Sequence, residues 1–156
     1  MNIVKRIDQY DENNIFFCEH IKNNVINNGK FVRIIYSTHN VVFNGIYLLL
    51  TFFDITCEKY YSKYKCIFNV SLHKDIIYNI KIIEEDLLKK YFIIDKMPEH
   101  KIYEQLKNGN IKIFTDVGSK TVCSFILKIS GIWETQHNYG LTYKFIKNDS
   151  TIYLDN

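Results

Sequence analysis

Aromatic and basic residues interleave in three segments of the chain. In FILKISGIWE (residues 125–134) Lys128 stands among Phe125, Leu127, Ile129 and Trp133. In YGLTYKFI (139–146) Lys144 stands among Tyr139, Tyr143 and Phe145, and in FVRIIYS (31–37) Arg33 precedes Tyr36. Single-stranded nucleic-acid binders use this combination, because a base stacks on a ring while a lysine or arginine meets its phosphate. NIKIF (110–114) adds Lys112. The candidate set is therefore Arg33, Lys112, Lys128 and Lys144 for phosphates, with Tyr36, Trp133 and Tyr143 for stacking.

Strand alternation gives these side chains expected directions. Phe125, Leu127, Ile129 and Trp133 share one face, leaving Lys128, Ser130 and Ile132 on the other. Tyr139, Leu141, Tyr143 and Phe145 share a face opposite Thr142 and Lys144. Trp133 is thus expected to point inward, in a core or hairpin-pairing role, with stacking on a ligand as the alternative. Lys128 and Lys144 are expected on the same outward face, and Arg33 takes the corresponding place between Val32 and Ile34. Each alone is an ordinary solvated charge; together they sketch a groove.

Other chemistry finds no support. Glu84-Glu85-Asp86 is expected to be a solvated helix face, since consecutive helical residues point in different directions and make a poor carboxylate pair. His20, His39, His73, His100 and His137 sit in loops or at element ends without a ligand-like partner and are expected to be exposed. Cys18, Cys57, Cys66 and Cys123 lie too far apart for a zinc site, and no metal is expected. DVGSK (116–120) lacks the upstream glycine and following hydroxyl of a phosphate-binding loop and is expected to be a turn. No nucleophile elbow exists. The expectation is a protein that is not an enzyme and needs no cofactor.

The elements that must position these residues change period along the chain. The first thirty residues are polar and Asn-rich, expected to be partly ordered, with IFFCEHI (15–21) either a short helix or a strand. Strands are expected at 31–37, 41–53 and 64–70, with Asn44-Gly45 marking a bulge or a splitting turn in the second. SLHKDIIYNIKIIEEDLLKKYF then places Ile76, Ile77, Ile80, Ile83, Leu87 and Leu88 on one helical stripe. A shorter helix is expected over 99–109, followed by strands at 110–114, 121–133 and 139–146, with a short tail over 148–156. The fold class is α+β: antiparallel meander, helix, meander, within one domain over 31–147. An oligonucleotide-binding (OB-like) small barrel, or a curled sheet with one long amphipathic helix, is its concrete form, with one strand too many after the helix.

Composition sets bounds. The chain of 156 residues has no alanine, one proline and a net charge of +3, with Arg6 and Arg33 the sole arginines among its 20 basic residues. That balance permits an anionic partner without announcing one. The excess of Ile, Lys, Asn, Tyr and Phe follows A/T-rich codons. GIYLLLTFF (45–53) is far short of the ~20 residues a membrane helix needs, and the start, MNIVKRIDQYDENN, lacks a signal-peptide core. No membrane association is expected. Cys57 and Cys66 have the spacing of a hairpin bridge, but reduced thiols are the better expectation.

ILKISGIWETQHNYGLTYKFI (126–146) resembles the C-terminal hairpin of a family of proteins from nucleocytoplasmic large (giant) DNA viruses. There, a Gly-Ile/Leu-Trp strand precedes a Gly-Leu/Val-Thr-aromatic strand. FVRIIYSTHNVVFNGIYLLL (31–50) and YEQLKNGNIKIF (103–114) are similar to the same group. Some of its members belong with single-stranded DNA-binding proteins whose OB fold resembles that of tailed phages. The resemblance implies a replication or recombination accessory that coats unpaired DNA or RNA. It also implies a location in the host cytoplasm (viral factory), the nucleus or the virion. The end of this chain, KNDSTIYLDN, departs from the long acidic tail of replicative members. The alternative is a structural or virion-associated module that binds viral proteins or forms a homo-oligomer.

Overall fold

The computed structural model describes residues 3–23, 29–148 and 153–154. Two long antiparallel strands organise it. Both segments are rich in β-branched and aromatic residues, which favours extended backbone. In chain order the strands are β1 (Ile3–Arg6), β2 (Ile15–Asn23), β3 (Gly29–Ser37), β4 (Val42–Phe43), β5 (Ile46–Tyr60) and β6 (Lys63–Ile67). They continue as β7 (Met97–Glu99), β8 (Asn110–Ile113), β9 (Ser119–Glu134), β10 (Asn138–Lys147) and β11 (Tyr153–Leu154). The helices are α1 (Lys74–Lys90) and α2 (Lys101–Lys107). β5 pairs with β9 from Ile46↔Ile129 to Thr56↔Ser119. β3 takes up the same edge of β9 beyond that point, and β10 pairs along its other edge. Parallel pairs occur at the margins, β1 with β5 and β11, and β7 with β10.

The result is an α+β fold with a mostly antiparallel, open and uncurled sheet and one long helix. The sheet does not close into the barrel or curl expected from the sequence, because its strand order ends in β11 on one side and β7 on the other. IFFCEHI is a strand, part of β2, and it pairs with β3. β1 and β2 therefore join the sheet ahead of residue 31, where the domain was expected to begin. At Asn44-Gly45 the expected second strand divides into β4 and β5, with Gly45 at φ +116°.

One face of the sheet carries the core. Ile77, Ile80, Ile83, Leu87 and Leu88 of α1 pack in one cluster with Leu48, Leu50, Phe52, Phe125, Leu127 and Ile129 of the central strands. Each such side chain, fully buried, contributes about 1.5–3 kcal/mol, which is what holds the helix to the sheet. The carboxylate expected to be solvated is not: Glu84 is 1% exposed. Its Oε2 and Oε1 accept the backbone N–H groups of Ile102 (3.1 Å) and Tyr103 (2.9 Å) at the start of α2. Burial pushes the Glu84 carboxyl up to about 7, although both N–H bonds pull the other way. His73, expected to be exposed, is also buried. Its Nε2 accepts Phe53 N–H at 2.9 Å while Nδ1–H donates to the Asn69 carbonyl at 2.7 Å, so it is a neutral strut among phenylalanines. Cys57 and Cys66 face each other across β5 and β6 as free thiols.

Candidate nucleic-acid interface

The face of the sheet turned away from the core cluster carries four of the candidate residues, Arg33, Lys128, Trp133 and Lys144, in register. Side chains of residues paired across neighbouring strands project to the same side. Three adjacent rows follow: Phe31–Trp133–Gly140, Arg33–Gly131–Thr142 and Tyr47–Lys128–Lys144. Beyond them lie Leu49–Ile126–Ile146 and then Thr51–Ser124, whose hydroxyls are 3.0 Å apart. Lys128 and Lys144 are thus direct cross-strand partners, with Arg33 one row away.

A single residue determines where Trp133 points. β9 and β10 pair as Ile132↔Leu141 and Gly131↔Thr142, then resume as Ile129↔Tyr143, so Ser130 is an unpaired bulge. An extra residue reverses the alternation beyond it. Ile129 and Ile132 therefore both enter the core, and Trp133 turns to the opposite face. The inward Trp133 expected from strict alternation is corrected: the indole is half-buried on the same side as Lys128 and Arg33. It leans across Gly140, where a Cβ would come within 2.7 Å of Cζ2. Phe31 lies likewise across Gly131, where a Cβ would be 2.6 Å from the ring and 2.2 Å from the Val32 carbonyl oxygen. Two glycines in neighbouring strands thus let two rings lie flat on the sheet.

Electrostatics favour an anion. Two ammonium groups directly opposite each other repel, and like charges in this position destabilise a sheet. The Lys128 ammonium stands 5.5 Å from the Tyr47 ring centre and that of Lys101 stands 4.9 Å from the Trp133 ring. Glu99, Lys101, Trp133, Thr135 and Asn138 line a cleft of about 410 Å³ beside the indole. The nearby carboxylates are engaged: Glu134 with Lys96 at 2.5 Å, and Glu99 with Lys101 at 3.9 Å.

Two expected stacking residues lie elsewhere. Tyr36 is 2% exposed, its hydroxyl accepting Asp11 N–H at 3.0 Å and its ring set against Tyr10 and Phe43. No ring face remains for a base. It shares the phase of Val32 and Ile34 on β3, an alternation that points it inward. Tyr143 lies on the core side with Phe145, its hydroxyl donating to Gln105 Oε1 at 2.6 Å. Burial, with Glu84 and Glu104 nearby, pushes this phenol up to about 12. Lys112 is exposed, but in β8, where it pairs with Lys65 at the far end of the sheet. Arg33, Lys128, Trp133 and Lys144 are brought together; Phe31 and Tyr47 join them unanticipated. Their signal was available in the alternation of FVR and IYL around the apolar core positions.

Among the described residues, no group of three or more His, Cys, Asp or Glu side chains is placed to hold a metal. No helix there is long and apolar enough to cross a membrane. Comparison with protein-family models, curated proteins and solved structures gave no match.

Proposed function

We propose that the open face binds single-stranded nucleic acid with little sequence preference, in the role of a replication or recombination accessory. The observation that carries this reading is the Lys128–Lys144 cross-strand pair, in one row with Tyr47 and one row from Arg33 on the face away from the core. A phosphate over this row would meet both ammonium groups, and Trp133, Phe31 and Tyr47 offer rings to the adjoining bases. An open sheet suffices, since single strands are also read on flat sheet platforms whose exposed aromatics stack bases. Kinship with the OB-fold proteins of large DNA viruses belongs to the same proposal. So does a location at sites of viral replication.

The test is titration with oligo-dT and oligo-U, following Trp133, the chain's one tryptophan. Quenching that weakens steeply with salt supports the reading; unchanged emission and no mobility shift at low salt remove it. The ratio of the two affinities separates DNA from RNA.

A second reading, protein docking, is favoured by one feature. Phe92, Ile94 and Met97 are all exposed in the segment after α1. A pocket of about 420 Å³ lined by Leu88, Phe92, Pro98 and Tyr139 opens beside them. Size-exclusion chromatography with light scattering, with and without DNA, distinguishes the two: a stable oligomer indifferent to DNA favours docking.

A further inference from the structure

The open face does not end at Lys128. β5 continues from Tyr47 to the hairpin with β6, and its irregular point is Asp54, at φ +54°. Ile55 enters the core immediately afterwards, so Thr56, Glu58 and Tyr60 lie on the side away from it. The row Glu58–Lys65–Lys112 crosses β5, β6 and β8 there. Lys65 and Lys112 hold their ammonium groups 5.6 and 5.1 Å from the Tyr60 ring, and Lys63 stands 5.2 Å from the ring of Phe114. Tyr61, at the turn, is 84% exposed and Phe114 70%. Tyr60 and Tyr61 meet edge to face at 4.8 Å. Basic side chains beside solvent-facing rings thus recur at the other end of the face. Between the two ends lie half-buried Leu49 and buried Ile126, flanked by exposed Ile146 and then by exposed Phe53 and Val122, over which a strand would pass.

We propose that this hairpin tip is a second anchor for the same single strand, so that one molecule is tracked along the whole open face. The inference rests on the nucleic-acid reading above. The positive charge of Lys63, Lys65 and Lys112 outweighs the negative charge of Glu58, which selects an anionic occupant, and exposed rings select one with stacking faces. At about 3.3 Å per residue, β5 from Tyr47 to Glu58 spans roughly 35 Å. At about 3.4 Å per stacked nucleotide that is roughly ten nucleotides, inside the usual site sizes of single-strand binders. A short strand reaches one anchor, and a long strand reaches both.

The experiment compares a five-nucleotide with a twenty-nucleotide oligo-dT against the wild type, K65A/K112A and Tyr61→Ser. Tyr61 belongs to neither the core nor a strand, so its replacement tests the tip without risk to folding. Two lost phosphate contacts reduce the salt slope for the long strand by about 1.4. The expected result is that reduction, with at least a fivefold loss of affinity for the long strand in K65A/K112A and a smaller loss in Tyr61→Ser. Binding of the short strand stays unchanged. Equal losses for both lengths, or no loss for either, overturn the second anchor while leaving the first intact. If neither strand binds the wild type at any salt concentration, the nucleic-acid reading itself falls and the anchor with it.

Discussion

Arg33, Lys128 and Lys144 stand in two neighbouring rows, so a short strand laid across them meets three cations. Each phosphate neutralised on a single strand contributes about −0.7 to the slope of log K against log salt, giving about −2.1 for three. A fourfold rise in salt, from about 50 to about 200 mM, then weakens binding roughly 18-fold. In K128A/K144A only Arg33 remains of the three. The slope falls to about −0.7, and the same change in salt weakens binding less than roughly threefold. Neither lysine belongs to the core cluster, so the variant retains its fold, which circular dichroism verifies. The assay is fluorescence anisotropy of a labelled five-nucleotide oligo-dT over a salt series, with Trp133 emission as an independent reading. The slope matters more than the affinity, because lost packing lowers affinity at every salt concentration alike. Equal slopes in the two proteins would refute the reasoning: these lysines would then meet no phosphate, however tightly the strand bound.

The same pair predicts the opposite sign for stability. Like charges directly opposite on paired strands destabilise a sheet, by at most about 1 kcal/mol, so Lys144→Thr should raise the urea midpoint slightly at low salt, and a lower midpoint would contradict the repulsion. Glu84 predicts a pH dependence. Its carboxyl is raised from an ordinary 4.5 to about 7, so the fold favours the protonated form; stability from this group is full below 4.5 and falls as pH rises through 7. The loss is about 3 kcal/mol, reduced in Glu84→Gln, and urea unfolding of both proteins at pH 5 and pH 8 should show it; parallel behaviour would count against it. Gly131→Ala places a methyl 2.2 Å from the Val32 carbonyl oxygen, and strain of about 1–3 kcal/mol should lower the melting temperature by several degrees in a thermal scan. An unchanged melting temperature would mean that β3 and β9 approach less closely than described.

What could be read from the sequence was local, and what could not depended on register. The apolar stripe of α1 was legible because helical period is a property of one segment. Even so, Glu84 falls four residues after Ile80 and three before Leu87, on that very stripe. A carboxylate at a buried position signals that something donates to it, and the donors, Ile102 and Tyr103, lie in another helix. Tyr36 shows the converse: alternation with Val32 and Ile34 already pointed it inward, against the stacking role expected of it. β1 and β7 are not legible as strands because each is only four or three residues long and finds its partner at a long separation in sequence, whereas β2 pairs with its neighbour β3 but carries no clear period of its own.

Trp133 is the instructive case. Nothing in ILKISGIWE distinguishes a bulged Ser130 from a regular strand residue, because the bulge exists only relative to the count of residues in β10. Without it, Trp133 would share the core phase of Leu127 and Ile129, and the open face would carry lysines and an arginine with one ring fewer. With it, an aromatic residue joins the cations while Ile132 fills the place it vacates. The core thus keeps its alternation by a change of phase, and the surface acquires a ring it could not otherwise present. Binding chemistry and packing are therefore set together at Ser130, by the register between two strands rather than by the composition of either.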